Sequence, residues 1–459
     1  MAIATINPAT GETVKSFEPM PEREVQERIR VADARWKQFR TVSFEQRAVW
    51  MRAAADLLEA DIDEVAALMT LEMGKTLASA RGEAAKCVKG LRFYAENTEA
   101  MLADEALPGG AGVVGASRAF TRYESLGVVL AVMPWNYPFW QVLRFAAPAL
   151  MTGNVGLLKH ASNVPQCAMY IQDLFERSGF PEGCFQTLLI SSGQVEGVLR
   201  DPRVAAATIT GSEWAGRSVA SICGDEIKPS VLELGGNDPF IVMPSADLKS
   251  AVATAVTART QNNGQSCIAA KRFLIHDAVY DQFTARFVEA MSALTVGDPL
   301  EGTTDVGPLA TAEGRDEVNE LVDDAIGKGA SILCGGGRLD LDGWFFSPTV
   351  IADISSDMRV NEEEVFGPVA MLHRVKDIDD AIAVANATPF GLGSSAWTSS
   401  AAEQDRFISE IAAGQVFING MTTSYPELAF GGTKRSGYGR ELSYHGLREF
   451  CNAKTVWVK

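Results

Sequence analysis

The chain has 459 residues, of which 47% are hydrophobic and 22% charged, so it can bury large cores and is too long for one ordinary domain. Its 41 basic and 58 acidic side chains give a net charge of -17, which repels nucleic-acid phosphates and anionic lipids. Because it also lacks a long apolar run and a basic, then apolar, N-terminal segment, the sequence predicts a cytoplasmic, multi-domain protein with neither nucleic acid nor membrane as a partner.

The first part of the chain is predicted to be helical and to be followed by one exposed strand. Between about residues 45 and 105, apolar side chains recur with a spacing near 3.6, and Ala, Glu and Leu are frequent. Residues 117–124 alternate instead between two faces, with Phe120 and Arg122 on one of them. That alternation favours a strand in a hairpin that projects from the body.

From Gly127 onward, short β-rich runs alternate with helical lengths, which is typical of parallel βαβ units. The predicted strands are 128–132, 155–159, 185–189, 205–210, 230–234, 239–242, 273–275, 332–334 and 369–374, and helices are predicted over 248–262 and 280–293. Two α/β domains are therefore expected to meet near residue 236. Residues 454–459 are predicted to form a lone strand that pairs with a neighbouring subunit, because no local partner precedes them.

The seven cysteines and four histidines are too scattered for a disulfide framework or a metal site. No two cysteines form a C-x-x-C pair, and no two histidines lie within four residues of each other. The sequence therefore predicts chemistry without a metal.

A polar loop that contains glycine, residues 261–266, leads into Cys267. A structural cysteine normally lies among apolar neighbours, so this setting favours a reactive thiol. If it is exposed and near backbone amides, its thiolate would be stabilised and could attack a carbonyl carbon. The alternative is an inert structural thiol, which is the more frequent role of cysteine.

Two further segments lie at the carboxyl ends of predicted strands, where open α/β sheets hold their ligands. Glu233 ends an apolar strand, and burial there would raise its pKa and make it a usable general base. The alternative is a strand-end glutamate in solvent. The turn 211–216 follows another strand and opens a helix, so its backbone N–H groups could hold a pyrophosphate, or it could be an ordinary turn.

The spacing of Asn136 and Arg144 predicts that both residues lie on one face of a helix. Asn136 follows the strand 128–132 and could donate its side-chain amide to an oxyanion, or simply cap the next helix. Asn136, Trp140 and Arg144 are predicted to share one helix face, because they recur every four residues. Arg144 lies in an otherwise apolar run, where an arginine either extends its charge to solvent or binds an anion.

Taken together, these motifs resemble the aldehyde dehydrogenase family over essentially the whole chain. The matching segments are 7–11, 134–136, 153–154 with Lys159, 211–216, 232–236, 264–267, 363–368, Asn386 with 391–392, and 430–437. The resemblance implies an α/β fold with a Rossmann-type cofactor domain (1–112 and 126–235), an α/β catalytic domain (236–445) and an oligomerisation hairpin with a C-terminal strand (113–125 and 446–459). A homodimer or homotetramer is expected.

The resemblance also assigns roles to the catalytic residues. Cys267 attacks an aldehyde, and the oxyanion is held by the Asn136 amide and the Cys267 backbone N–H. After hydride transfer to the nicotinamide, Glu233 activates the water that hydrolyses the thioester. The cofactor residues implied are Trp135, Lys159, Ser162, Gly211, Ser212, Gly216, Leu234, Glu364 and Phe366. NADP is expected, with NAD possible, because Ser162 stands where an acid would repel a 2′-phosphate.

Within the family, the chain is similar to the shorter bacterial succinate-semialdehyde dehydrogenases. The segments that carry this likeness are 158–161, 267–273, 439–442 and 449–452. The substrate residues implied are Arg144, Tyr137, Trp140, Gln261 and Ser424, where Gln261 replaces an arginine of the longer enzymes. Another semialdehyde or a small neutral aldehyde is the nearest competing substrate. Two more distant possibilities are a coenzyme A-acylating enzyme, which would not need Glu233, and a non-catalytic binding protein.

Overall fold

The computed structural model describes residues 2–459 and contains four β-sheets and fifteen α-helices within that range. The strands are β1 (Ile3–Ile6), β2 (Thr13–Phe17), β3 (Glu105–Ala106), β4 (Arg118–Ser125), β5 (Val128–Met133), β6 (Val155–His160), β7 (Phe185–Thr187), β8 (Val204–Thr210), β9 (Ser230–Glu233), β10 (Pro239–Val242), β11 (Arg272–His276), β12 (Ser331–Cys334), β13 (Thr349–Ala352), β14 (Val369–Val375), β15 (Ser395–Trp397), β16 (Phe417–Ile418), β17 (Gly437–Tyr438) and β18 (Cys451–Val458).

The helices surround the sheets, and the longest of them lie in the first quarter of the chain. They are α1 (Glu22–Phe39), α2 (Phe44–Ala60), α3 (Ile62–Met73), α4 (Leu77–Met101), α5 (Trp140–Met151), α6 (Pro165–Arg177), α7 (Val195–Leu199), α8 (Glu213–Asp225), α9 (Leu248–Thr260), α10 (Tyr280–Ser292), α11 (Ala312–Gly327), α12 (Arg359–Glu362), α13 (Ile378–Asn386), α14 (Ala401–Glu410) and α15 (Ser443–Glu449). None of the described helices is both long and apolar enough to cross a membrane.

A six-stranded sheet in the order β17-β9-β8-β5-β6-β7 forms the first half of the fold. The pairs from β9 to β7 are parallel, and β5 and β6 consist almost wholly of buried residues because helices cover both faces. Met133 pairs with His160, and Thr210 pairs with Glu233, at the carboxyl ends of their strands. The segments that follow these strands therefore meet at one edge of the sheet.

A seven-stranded sheet in the order β12-β13-β14-β11-β10-β15-β16 forms the second half. Only the edge strand β12 runs antiparallel to its neighbour. The sequence predicted β10, β11, β12 and β14 and missed β13, β15 and β16, which are short. The loop that carries Cys267 lies between α9 and β11, so the second sheet holds the nucleophile loop against the edge of the first.

The C-terminal strand β18 pairs with β4 of its own chain, from Cys451 opposite Ser125 to Val458 opposite Arg118. The prediction that this strand needs a neighbouring subunit was therefore wrong. Asn154 donates a hydrogen bond of 2.9 Å to the carbonyl of Phe450, and so does the backbone of Leu126, at 3.3 Å. These contacts bring the end of the chain beside the start of β5, which a local sequence pattern does not reveal.

Candidate active site

The loop that carries Cys267 is fixed by side chains from distant parts of the chain. Asn262 and Asn263 have left-handed φ angles of 55° and 57°, which asparagine tolerates better than most residues. The amide of Asn263 donates to the carbonyl oxygens of Gly74 and Pro308 at 2.8 and 2.9 Å. The Lys271 ammonium donates hydrogen bonds to the backbone carbonyl oxygens of Ser266 and Cys267, at 2.9 and 2.6 Å. The loop therefore presents Cys267 in one fixed orientation.

The half-buried Cys267 lines a cavity of about 200 Å³. Burial raises the pKa of the thiol to about 12, although the cations of Arg144 and Lys271 act in the opposite direction. Part of the residue is exposed, as expected for a reactive cysteine, but the raised pKa of the thiol does not favour the thiolate in this state of the protein. The desolvation of the sulfur outweighs the two nearby charges, so the thiol carries its proton at neutral pH.

Asn136 lies beside the nucleophile loop but not on the following helix. Its side-chain nitrogen donates to the carbonyl of Gln265 at 3.2 Å, and its own carbonyl accepts from Asn262 at 2.7 Å. Helix α5 begins at Trp140, and no side chain caps it. The predictions that Asn136 caps this helix and shares a helical face with Trp140 were thus wrong, because the segment 134–139 turns before the helix starts. The amide nevertheless contacts a carbonyl two residues before the nucleophile.

Glu233 is buried at the end of β9, with only 2% of its surface exposed. Neither carboxylate oxygen has a hydrogen-bond partner among the described residues. Its pKa is raised well above the ordinary value, first by burial and then by the nearby carboxylate of Glu441. The raised pKa agrees with the sequence prediction, and the alternative of a solvent-exposed glutamate was wrong. The carboxylate lies against Gly431 and outside the lining of the Cys267 cavity.

Arg144 also lines this cavity, and it is buried rather than extended to solvent. Its Nε lies against the buried carboxylate of Glu441, and its Nη2 donates to Thr210 Oγ1 at 3.2 Å. The guanidinium also lies 4.7 Å from the ring centre of Phe430. The sequence did not reveal that Glu441 is the partner of Arg144, because nothing in the chain order links the two residues. The positive charge of Arg144 therefore has a carboxylate partner inside the protein.

The other substrate residues implied by the sequence come together as well. The cavity is lined by Tyr137, Trp140, Gln261 and Ser424. Ser424 Oγ accepts hydrogen bonds from Trp140 Nε1 at 2.9 Å and from Lys86 Nζ at 2.6 Å. Sequence reasoning missed Lys86. Its spacing from Ser79 and Glu83 on α4 fits one helix face, but no pattern reveals that this face lines a cavity.

A larger cleft of about 770 Å³ runs between the start of α8 and the loop after α12. Ser212, Gly235 and Glu364 line it. Lys271 forms an ion pair of 2.8 Å with Glu364, so the same lysine that fixes the nucleophile loop also holds a carboxylate of the cleft. The Trp135 and Phe366 rings meet edge to face, with centres 5.7 Å apart.

Not every predicted cofactor residue is free to bind. The Gly211 N–H already donates to the carbonyl of Glu233 at 3.0 Å, and the Ser212 hydroxyl caps α8 by accepting from Ala215 N–H at 3.3 Å. A Cβ at Gly216 would lie 2.6 Å from Leu234, so this glycine serves close packing of α8 on the sheet. The Gly211 N–H therefore closes the turn onto β9, so a pyrophosphate at this turn would have to bind to the other N–H groups at the start of α8.

Of the other residues implied for the cofactor, Ser212 and Glu364 line this cleft, whereas Lys159, Ser162, Trp135 and Phe366 are outside its lining. Lys159 is buried, has no carboxylate within 4 Å among residues 2–459, and has its pKa lowered by burial. Ser162 is half-buried three residues further on. The helix N-terminus at Ser212, the ammonium of Lys159, the aromatic pair of Trp135 and Phe366 and the carboxylate of Glu364 are groups of the kinds that phosphates, a flat ring and ribose hydroxyls require.

Residues 1–456 match the model of the aldehyde dehydrogenase family, and the chain belongs to this family. A protein of Mycobacterium avium named succinate-semialdehyde dehydrogenase (NADP(+)) is 68% identical over 459 residues, which cover 100% of this chain and 97% of that protein. A Mycobacterium tuberculosis protein named succinate-semialdehyde dehydrogenase (NADP(+)) 1 is 67% identical over 458 residues, with 100% of each chain covered.

Solved structures show the same family likeness. The succinic semialdehyde dehydrogenase of Streptococcus pyogenes, in complex with NADP+ as the cofactor, matches with a TM-score of 0.96 and 35% identity over 100% of both chains. The predicted α/β fold of the aldehyde dehydrogenase type is therefore confirmed.

Proposed function

We propose that this protein oxidises succinate semialdehyde to succinate and reduces NADP+. The observation that carries the proposal is that one small cavity holds the thiol of Cys267 together with the cationic and hydroxyl side chains of Lys86, Arg144 and Ser424. A thiol suits attack on an aldehyde, and cations suit a carboxylate on the same small molecule. The names of the M. avium and M. tuberculosis relatives support this substrate and this cofactor.

Different residues of the chain are proposed to carry out different steps of the reaction. Cys267 Sγ releases its proton to solvent and forms a bond to the aldehyde carbon, and the electron pair of the C=O bond moves to the oxygen. The positive charges of Arg144 and Lys271 favour the thiolate that attacks. Asn136 Nδ2, which now donates to a neighbouring carbonyl, would donate together with the Cys267 backbone N–H to the oxyanion. When bound, NADP+ supplies the hydride acceptor.

Glu233 is proposed as the base that takes a proton from the hydrolytic water. Its raised pKa makes the ionised carboxylate a stronger base than an ordinary glutamate. In this structure its carboxylate faces Gly431, so its side chain must rotate toward the cavity for this step. Release of succinate then returns Cys267 to the thiol.

We propose that NADP is held by residues on both sides of the cleft. Lys159 and Ser162 would contact the ribose with the 2′-phosphate, and the N-terminus of α8 at Ser212 would face the pyrophosphate. Glu364 would accept hydrogen bonds from the second ribose, and Trp135 and Phe366 would flank the nicotinamide. Gly211, Gly216 and Leu234 would act indirectly, because the Gly211 N–H closes the turn onto β9 and Gly216 packs against Leu234.

The division into a cofactor domain, a catalytic domain and an oligomerisation element also remains part of this proposal. The sheet β18-β4-β3 has many half-exposed residues and leaves one edge of β18 unpaired within the chain. An edge of this kind is suited to pairing with another subunit in a homodimer or homotetramer.

The test is a substrate and cofactor comparison with the purified protein. Reduced cofactor is measured with succinate semialdehyde and with butanal, each with NADP+ and with NAD+, and the acid product is identified with and without coenzyme A. We expect kcat/KM to be highest for succinate semialdehyde with NADP+, and succinate to form without coenzyme A. Equal kcat/KM for the two aldehydes would contradict the substrate, and formation of an acyl-coenzyme A would contradict hydrolysis.

A further inference from the structure

Glu83 is a buried carboxylate that the proposed reaction does not use. It lies on α4, in the lining of the cavity that contains Cys267. Its Oε1 accepts the backbone N–H groups of Phe139 and Trp140, each at 2.9 Å, and its Oε2 forms an ion pair with Lys75. Helix α5 has no side-chain cap from the residue that precedes it. The carboxylate on α4 therefore takes the first N–H groups of α5, where the helix dipole favours a negative charge.

Lys75 lies in the short turn between α3 and α4 and is fully buried. Its ammonium contacts the carboxylate of Glu83 and lies 4.3 Å from the centre of the Tyr137 ring. In the same turn, the carbonyl of Gly74 accepts a hydrogen bond of 2.8 Å from Asn263, in the loop that carries the nucleophile. One turn thus contacts the nucleophile loop through its backbone and the residues before α5 through a side chain.

The segment 134–139, which contains Asn136, is neither strand nor helix. Its position therefore depends on contacts with other parts of the chain. The carbonyl of Pro138 accepts a hydrogen bond of 2.9 Å from the ring of His160, and the next backbone N–H binds to Glu83. A change at the carboxylate would let the end of this segment move, and the Asn136 amide would move with it.

We propose that Lys75 and Glu83 are positioning residues that fix the Asn136 amide relative to the Sγ of Cys267. This inference rests on the proposed function, because it takes Asn136 as a donor to the oxyanion. Glu83 acts through backbone hydrogen bonds, which are stronger when the acceptor is ionised, and Lys75 compensates its buried charge. Donors to an oxyanion must be held in place before the reaction, and a displacement of about 1 Å can cost roughly 100-fold in rate.

The first test compares Glu83→Gln with a matched control, Glu72→Gln. Glu72 is also buried, and it accepts the N–H groups of Gln166 and Cys167 at the start of α6, both at 3.0 Å, outside the lining of the cavity. Each variant keeps the shape of the side chain and removes a charge that caps a helix, so both should lower Tm. We expect Glu83→Gln to lower kcat at least roughly tenfold, and Glu72→Gln to lower it less than about threefold.

A double-mutant cycle with Asn136→Ala gives a readout that a general loss of stability would not move. We expect Asn136→Ala alone to lower kcat roughly 100-fold, as for the loss of one oxyanion donor. If Glu83 acts through the Asn136 amide, adding Glu83→Gln to Asn136→Ala should lower kcat further by less than about threefold, whereas independent effects would multiply. The Kd of NADP+, measured by fluorescence titration, should be unchanged in Glu83→Gln. Succinate semialdehyde and butanal are both used, because an oxyanion forms on either aldehyde.

The possible outcomes separate the two proposals. If the wild type does not prefer succinate semialdehyde to butanal, the proposed substrate fails, and the cycle still tests the positioning role with either aldehyde. If Asn136→Ala leaves kcat unchanged, its oxyanion role fails and the inference fails with it. If Asn136→Ala lowers kcat but Glu83→Gln behaves like Glu72→Gln, or the two losses multiply, the inference is overturned and the proposed function stands.

A second variant covers the case in which Glu83→Gln does not fold because the Lys75 charge is left unpaired. Lys75→Met combined with Glu83→Gln removes both charges, and a buried ion pair replaced in this way often costs little stability. It then takes the place of Glu83→Gln in the cycle. A loss of kcat that disappears in the Asn136→Ala background supports the positioning role, and a loss that multiplies with that of Asn136→Ala overturns it.

Discussion

Lys271 donates a hydrogen bond of 2.6 Å to the backbone carbonyl of Cys267, four residues earlier in the chain. The same ammonium also forms an ion pair of 2.8 Å with Glu364 in the cleft beside α8. One fully buried lysine thus connects the position of the nucleophile with that of a carboxylate proposed to hold the cofactor.

The first prediction is that Lys271→Met lowers both stability and kcat. The variant leaves the half-buried Glu364 carboxylate without its cation, which should cost less than the about 3–5 kcal/mol typical of a fully buried pair. It also frees the carbonyls at 266 and 267, so the thiol is held less firmly. We expect kcat to fall by at least roughly tenfold in protein that is still folded. Urea unfolding and steady-state kinetics measure the two effects. Lys37→Met, on the exposed face of α1, is the control, and an equal kcat in both variants would refute the positioning role.

The second prediction concerns Glu233→Gln, which retains shape and removes the base. We expect one rapid turnover of reduced NADP followed by slow hydrolysis of the thioester, measured by stopped-flow absorbance. If no reduced cofactor forms in the first turnover, Glu233 is required for thiol attack or hydride transfer and not only for hydrolysis of the thioester.

Stability gives an independent check on the same variant. The pKa of Glu233 is raised in the folded protein, so the folded state binds its proton more tightly than the unfolded state does. The free energy of unfolding should therefore decrease as pH rises above the unfolded pKa of about 4.3, and this loss continues up to the folded pKa. Glu233→Gln should remove that part of the pH dependence. A wild type and variant with parallel profiles of Tm against pH would contradict a raised pKa of Glu233 in the folded protein.

The third prediction is that Cys267 reacts slowly at neutral pH and faster as pH rises. With a thiol pKa of about 12, the thiolate fraction increases roughly tenfold for each pH unit over the accessible range. Alkylation by iodoacetamide in the free enzyme should follow this slope between pH 6 and 9, with Cys267→Ala as the background. The same substitution should abolish turnover while cofactor binding remains. A rate that reaches a plateau near neutral pH would show that the thiolate is stabilised.

The fourth prediction is that Ser162→Glu raises KM for NADP+ and leaves KM for NAD+ nearly unchanged. The new carboxylate would repel a 2′-phosphate near Lys159. Ser162→Gln is the matched control, since it has the same size without the charge. We expect the charged variant to lose roughly tenfold or more in preference for NADP+, about 1.4 kcal/mol. An equal loss in the glutamine variant would assign the effect to size alone.

The sequence by itself was sufficient for the features that depend on local pattern. The alternation of apolar strands with helices predicted the parallel sheets, because strand and helix periodicities are set by neighbouring residues. The polar loop before Cys267 and the apolar strand before Glu233 identified two candidate catalytic residues in the same way. The raised pKa of Glu233 also followed, since a carboxylate inside an apolar strand is buried wherever that strand packs.

Only the tertiary structure decided which charged side chains form ion pairs and which have no partner of opposite charge. Arg144 forms an ion pair with Glu441, and β18 pairs with β4. Lys86 lines the cavity of Cys267 and has no carboxylate partner among the described residues. All of these arrangements depend on segments that are far apart in the chain. The raised pKa of Cys267 belongs to the same group, because it depends on how deeply several elements bury the thiol. Contacts of this kind leave no periodic signal in the sequence, since they depend on packing between elements rather than on the residues within one.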